Sequence, residues 1–140
     1  MIVYLDTSVL LRWLLNSSKV YSGFQKWDSC YTSELLPIEV NRVLNRLRLE
    51  KEIDDQEFAN LHKIFLEFYN TISVIEINQA VKQKSSEPFS TVIGTLDAIH
   101  LASALLLKEE NKKLKILFLT HDNQLSTAAI AMGFDVEGLN

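Results

Sequence analysis

The sequence predicts an α/β fold, with short buried strands forming a parallel sheet between layers of helix. Three observations predict it. Apolar runs of strand length stand at Met1–Leu5, Ile72–Ile77 and Ile116–Leu119. The first and last lack the alternation of a half-exposed strand, as befits strands covered on both faces. Between the runs lie longer segments with helical spacing, and strands alternating with helices imply parallel pairing in an α/β sandwich.

Taken in order, Met1–Leu5 is the first strand, and a helix follows from about Thr7 to Asn16. A short helix is expected across Val20–Trp27 and a second strand across Ser29–Thr32. Ser33 is placed to cap a long helix reaching about Glu50. Asp54 followed by Glu57 has the capping-box pattern, opening a helix to about Asn70. The β-branched stretch Ile72–Ile77 is a strand, Asn78 starts a helix, and Ser85-Ser86-Glu87-Pro88 breaks it. Leu96–Leu107 is apolar on nearly every side and therefore buried. Ile116–Leu119 is the next strand, Asn123 opens a helix that Gly133 stops, and Val136 belongs to a last edge strand.

A chain of 140 residues, 47% hydrophobic and 23% charged, suits one globular domain spanning 1–140. The single cysteine, Cys30, excludes an internal disulfide and reads as a small buried hydrophobe. No basic segment precedes the first strand, so no signal peptide is expected, and no apolar run approaches the roughly 20 residues that span a bilayer. No membrane partner is expected, and the cytoplasm is the expected compartment. The net charge of −4 argues against a polynucleotide partner, unless acids hold metal and reverse the local field. Basic residues do cluster, at Arg42, Arg46, Arg48 and Lys51, and again at Lys108, Lys112, Lys113 and Lys115.

Four acids stand among residues that read as core: Asp6, Glu39, Asp97 and Asp122. Carboxylates are costly to remove from water unless cations or hydrogen bonds compensate. A hard divalent ion can compensate several together. Sites in open parallel sheets lie beyond the carboxyl ends of the strands. Asp6 ends the first strand, Asp122 follows the fourth, and Asp97 opens the buried helix between. Glu39 borders the helical stripe Leu36, Val40, Val43 and Leu47, and Arg42 three residues on is expected to orient it. Each acid also has a plainer reading. Asp6 and Asp122 could cap the helices after them, and Asp97 could sit in the first turn of a helix capped by Thr95. Pro37 leaves open whether Glu39 lies within or beyond the first turn of its helix.

Four blocks in order carry a family resemblance: Leu5-Asp6-Thr7-Ser8-Val9-Leu10-Leu11; Ser33-Glu34-Leu35 leading to Glu39-Val40-Asn41-Arg42; Leu96-Asp97-Ala98-Ile99-His100-Leu101-Ala102; and Leu119-Thr120-His121-Asp122, followed by Gly133-Phe134. Together they resemble the PIN-domain ribonucleases, most closely toxins of VapBC-type toxin–antitoxin pairs. The resemblance implies a PIN-like three-layer α/β/α sandwich with a central parallel sheet of about five strands. It implies an endoribonuclease dependent on Mg²⁺ or Mn²⁺, with Asp6, Glu39, Asp97 and Asp122 as catalytic and metal-binding acids. Asp6 and Asp97 match the direct ligands best. Thr120 matches a hydroxyl that supports the pocket, and Thr7 and Ser8 tie down the first turn. The implied chemistry is hydrolysis by metal-activated water, giving a 5′-phosphate and a 3′-hydroxyl. The implied partners are RNA, a small antitoxin protein and a second copy of the chain.

His100, one turn from Asp97, is a candidate general base or a structural hydrogen-bonding residue, with the second reading favoured. Trp13 and Trp27 are expected to pack. A receiver domain would need paired acids after the first strand and a late lysine. A haloacid-dehalogenase-type phosphatase would need an acid where Ser8 stands. The competing reading is a catalytically weak PIN-like module acting through protein or RNA binding.

Overall fold

The computed structural model describes residues 1–139 and forms a five-stranded parallel sheet in the order β3-β2-β1-β4-β5. Its strands are β1 (Ile2–Leu5), β2 (Ser29–Ser33), β3 (Ser73–Ile75), β4 (Ile116–Leu119) and β5 (Asp135–Glu137). The helices are α1 (Thr7–Leu14), α2 (Leu35–Leu49), α3 (Asp55–Tyr69), α4 (Gln79–Ser85), α5 (Thr95–Glu110) and α6 (Asn123–Ala131).

The strand period of two divides the core between the two faces. Val3, Leu5, Cys30 and Leu119 point to one side, where α1, α2 and α3 cover them with Leu10, Leu36, Leu44, Phe65 and Phe68. Tyr4, Ile116 and Phe118 point to the other, against Leu101 and Leu105 of α5 and Leu125 and Ala128 of α6. The result is the expected three-layer α/β/α sandwich. No helix among the described residues is long and apolar enough to cross a membrane.

Local signals set most boundaries. Asp54 and Glu57 form both bonds of the capping box, and Asn78 caps α4 through the Val81 N–H. Gly133 adopts φ +91°, the left-handed turn that ends α6.

Four local expectations need correction. Val20–Trp27 forms turns instead of a helix. Tertiary contacts decide it: Phe24 is buried, stacked 4.8 Å from Trp13 and 5.4 Å from Phe68, with Trp27 edge-on. Gln25 takes a positive φ of 64°, which a helix cannot hold. Ser33 ends β2 and does not cap α2; Glu34 occupies the cap position, and Ser33 Oγ accepts the Leu35 N–H. Gly94, not Thr95, caps α5. The first turn of α5 is also less buried than its composition suggests, with Leu96 50% exposed.

Candidate active site

The chain leaves β1 for β2 on one side, whereas β4 pairs with β1 on the other. The crevice at the carboxyl ends of β1 and β4 is therefore the topological switch point, where ligands of open α/β sheets bind. Asp6 follows β1 there, and Thr120 and Asp122 follow β4.

Asp6 occupies the cap position of α1, yet its side chain makes no cap bond. Its Oδ2 accepts instead from Ser8 Oγ at 2.6 Å and Thr120 Oγ1 at 2.9 Å. Ser8 Oγ in turn accepts the His121 N–H, and Thr120 Oγ1 accepts the Asp122 N–H. These small hydroxyls turn the ends of β1 and β4 into one hydrogen-bonded unit. Thr120 and Ser8 thus both touch Asp6 at this edge.

Because α2 starts at Leu35, Glu39 is its fifth residue and lies beyond the first turn, where the helix dipole no longer explains it. Pro37, at the third position, falls where its missing N–H costs nothing. Glu39 Oε1 accepts from Thr7 Oγ1 at 2.7 Å and pairs with His100 Nε2 at 2.6 Å. Burial alone would raise the Glu39 pKa, but the His100 hydrogen bond and charge, with the Thr7 hydroxyl, outweigh it and hold it below the usual range. His100 shows the complementary balance. Its burial opposes charge, but Glu39 and the nearby Asp6 and Asp97 carboxylates outweigh that and raise its pKa.

Arg42 does not play the part expected of it. It is exposed and makes no ion pair or hydrogen bond with Glu39 among the described residues. His100, 61 residues away in sequence, takes that place from α5. Thr7 also does more than tie a turn, since its hydroxyl holds Glu39. Tyr4 read as strand core, but its hydroxyl meets His100 Nδ1 at 2.8 Å. The available signal was a phenol in a fully covered strand, which needs a polar partner.

Asp97 lies in the first turn of α5, where the helix dipole favours its charge, but burial and the neighbouring acids oppose that charge. Its pKa rises from 3.8 to about 6, chiefly through burial, then through the charges of Asp122 and Asp6, with Glu39 adding to them. The four acids therefore share one electrostatic neighbourhood. Asp122 does cap α6, its Oδ1 accepting the Leu125 N–H at 2.8 Å. The plain capping reading holds for that oxygen.

Among the described residues, every one of the four carboxylates keeps an oxygen without a hydrogen bond: Asp6 Oδ1, which lies 3.7 Å from His100 Nε2, Glu39 Oε2, Asp122 Oδ2 and both oxygens of Asp97. An all-oxygen set with uncompensated negative charge suits a hard divalent cation. As the side chains stand, no three acidic, histidine or cysteine groups among the described residues are gathered closely enough to hold an ion. Like-charge repulsion opposes closer approach of the carboxylates in the absence of a cation. The donor chemistry thus fits a cation, and occupying the site requires the carboxylates to turn inward.

Cys30 is buried, with its thiol pushed up to about 12 by burial, and has no nucleophilic role.

A family model described as PIN domain matches residues 3–131. No curated protein matches the chain. Among solved structures, the chain is similar to one in the VapBC2 complex of Rickettsia felis bound to a promoter DNA fragment. Identity there is 15%, coverage is 98% of each chain, and the TM-score is 0.64. It is also similar to a chain in a toxin–antitoxin complex from Klebsiella pneumoniae, with 16% identity, 98% and 96% coverage and a TM-score of 0.63. At such identities the likeness is one of fold.

Proposed function

The chain belongs to the PIN-domain family, and from that premise we propose that it is a Mg²⁺- or Mn²⁺-dependent endoribonuclease, the toxin of a toxin–antitoxin pair. PIN domains are nucleases, which supports a hydrolase acting on nucleic acid. The observation that carries the metal-dependent reading is that four carboxylates meet at one switch point, each with an oxygen free of hydrogen bonds, where burial and then the neighbouring charges raise the Asp97 pKa to about 6.

Asp6, Glu39, Asp97 and Asp122 would hold the cation, which when bound activates water and neutralises charge on the phosphate. The chain's own residues do the rest. Ser8 and Thr120 fix one oxygen of Asp6 and leave the other without a hydrogen bond, 3.7 Å from His100 Nε2. Thr7 restrains Glu39 in the same way. Asp97, with no donor, must lose its proton before it can contribute. Asp122 offers the oxygen that its cap bond leaves over.

The likeness to chains from two toxin–antitoxin complexes supports a small antitoxin protein as partner. RNA as substrate rests on the family resemblance of the blocks at Leu5–Leu11 and Leu96–Ala102. Leu49 on α2 is an exposed apolar residue that an antitoxin or a second copy of the chain would cover. A single domain working in the cytoplasm completes the proposal.

The test is cleavage of total RNA by purified protein with Mn²⁺, repeated with Asp6→Asn and Asp97→Asn. Cleavage by the wild type that both substitutions abolish is expected. Cleavage surviving both, or no cleavage of any RNA by the wild type, overturns the proposal.

A further inference from the structure

We propose that Tyr4 and His100 are positioning residues for Glu39, fixing its Oε1 so that Oε2 is reserved for the bound cation. Within the nuclease reading, on which this assignment rests, the pair explains how a flexible side chain is made ready in advance.

His100 is completely buried, yet its ring nitrogens are both engaged. Nδ1 meets the Tyr4 hydroxyl, and Nε2 meets Glu39 Oε1 at 2.6 Å. Tyr4 is itself fully buried, held in the sheet by β1 and stacked on Phe118. Its ring meets the imidazole edge-on at 5.9 Å. The imidazole therefore cannot swing without breaking a bond at each end. Thr7 Oγ1 lies 3.4 Å from Nε2 and donates to the same Glu39 oxygen. One carboxylate oxygen is thus held from α1 and α5 together, while its twin has no protein donor among the described residues.

A core histidine needed only for packing would not require a half-buried acid at one nitrogen and a buried phenol at the other. Glutamate loses substantial rotamer freedom when it is fixed, and a side chain ordered beforehand does not incur that loss on binding. Groups that orient a ligand from behind are typically worth about 10–100-fold in metal affinity or activity.

The test is Mn²⁺ binding by calorimetry, without RNA, on wild type, His100→Ala, His100→Gln and Tyr4→Phe. Circular dichroism shows which variants fold. His100→Ala should weaken binding by about 10–100-fold. His100→Gln, whose amide N–H can reach the Nε2 position, should recover most of the loss. Tyr4→Phe removes a single oxygen, should fold even if His100→Ala does not, and should weaken binding measurably. A metal-free readout accompanies these: the ¹⁵N-coupled Nε2 proton of His100 should exchange slowly and shift in Glu39→Gln. Wild-type binding matched by every folded variant overturns the positioning role alone. A wild type that binds no Mn²⁺, with the His100 signal intact, overturns the nuclease reading and this role with it.

Discussion

Thr120 donates its hydroxyl hydrogen to Asp6 Oδ2 across 2.9 Å, joining the ends of two neighbouring strands that lie 114 residues apart in sequence. The Thr120 Oγ1 in turn accepts the Asp122 N–H, so one side chain links two acids of the site. Thr120→Val keeps the shape but leaves a buried carboxylate and an amide each short of a partner. The expected cost is about 2 kcal/mol in urea unfolding, with RNA cleavage reduced. Thr120→Ser, which keeps the hydroxyl, should restore most of both.

Asp97 gives stability a definite pH dependence. Its folded pKa is about 6 against 3.8 for a free carboxyl, so the folded state binds more protons between those values. Stability contributed by this group therefore falls as pH rises through that window and stays low above it. Asp97→Asn should be more stable than wild type at pH 7.5 by about 1 kcal/mol, a figure discounted for solvent screening of a half-exposed group. The two proteins should converge near pH 3. Thermal melts across this range measure the difference. Added Mn²⁺ should raise the wild-type midpoint and leave the variant nearly unchanged.

Asp122 combines a cap with a charge, and two substitutions separate them. Asp122→Asn retains a good capping side chain, whereas Asp122→Ala loses the bond to the Leu125 N–H and about 1 kcal/mol with it. The Asn variant is expected to melt with the wild type while binding Mn²⁺ more weakly. Equal Mn²⁺ binding would reduce Asp122 to a helix cap.

Gly138 has φ +109°, and a Cβ there would lie 2.6 Å from the Thr120 carbonyl oxygen. Gly138→Ala should therefore strain the backbone and press on the strand end that carries the site. A destabilisation of about 1–3 kcal/mol is expected in denaturant titration.

Features set by local chemistry were legible in sequence: the Asp54–Glu57 capping box, the Gly133 stop, and the unalternating strands of the sheet centre. The shared edge of Asp6 and Asp122 was also legible, because strand ends in a parallel sheet converge there, whereas Thr120 was legible only through the family resemblance. What escaped was set by contacts distant in sequence. The turns of Val20–Trp27 follow from the stacking of Phe24 on Trp13 and Phe68, which no local window contains. Arg42 was the nearest cation to Glu39 along its helix, but a helical neighbour on the solvent side cannot compete with a buried imidazole arriving from α5. The capping bond of Asp122 and its contribution to the potential at Asp97 could not be told apart by spacing, since both follow from one position after β4.

The most direct measurement is anomalous diffraction from crystals grown with Mn²⁺ near neutral pH. A peak at coordination distance from Asp6 and Asp97, with Glu39 Oε2 or Asp122 Oδ2 turned toward it, is the expected result. A map with no peak at the β1–β4 edge, and the carboxylates still bound only to hydroxyls, imidazole and amide, would contradict the account.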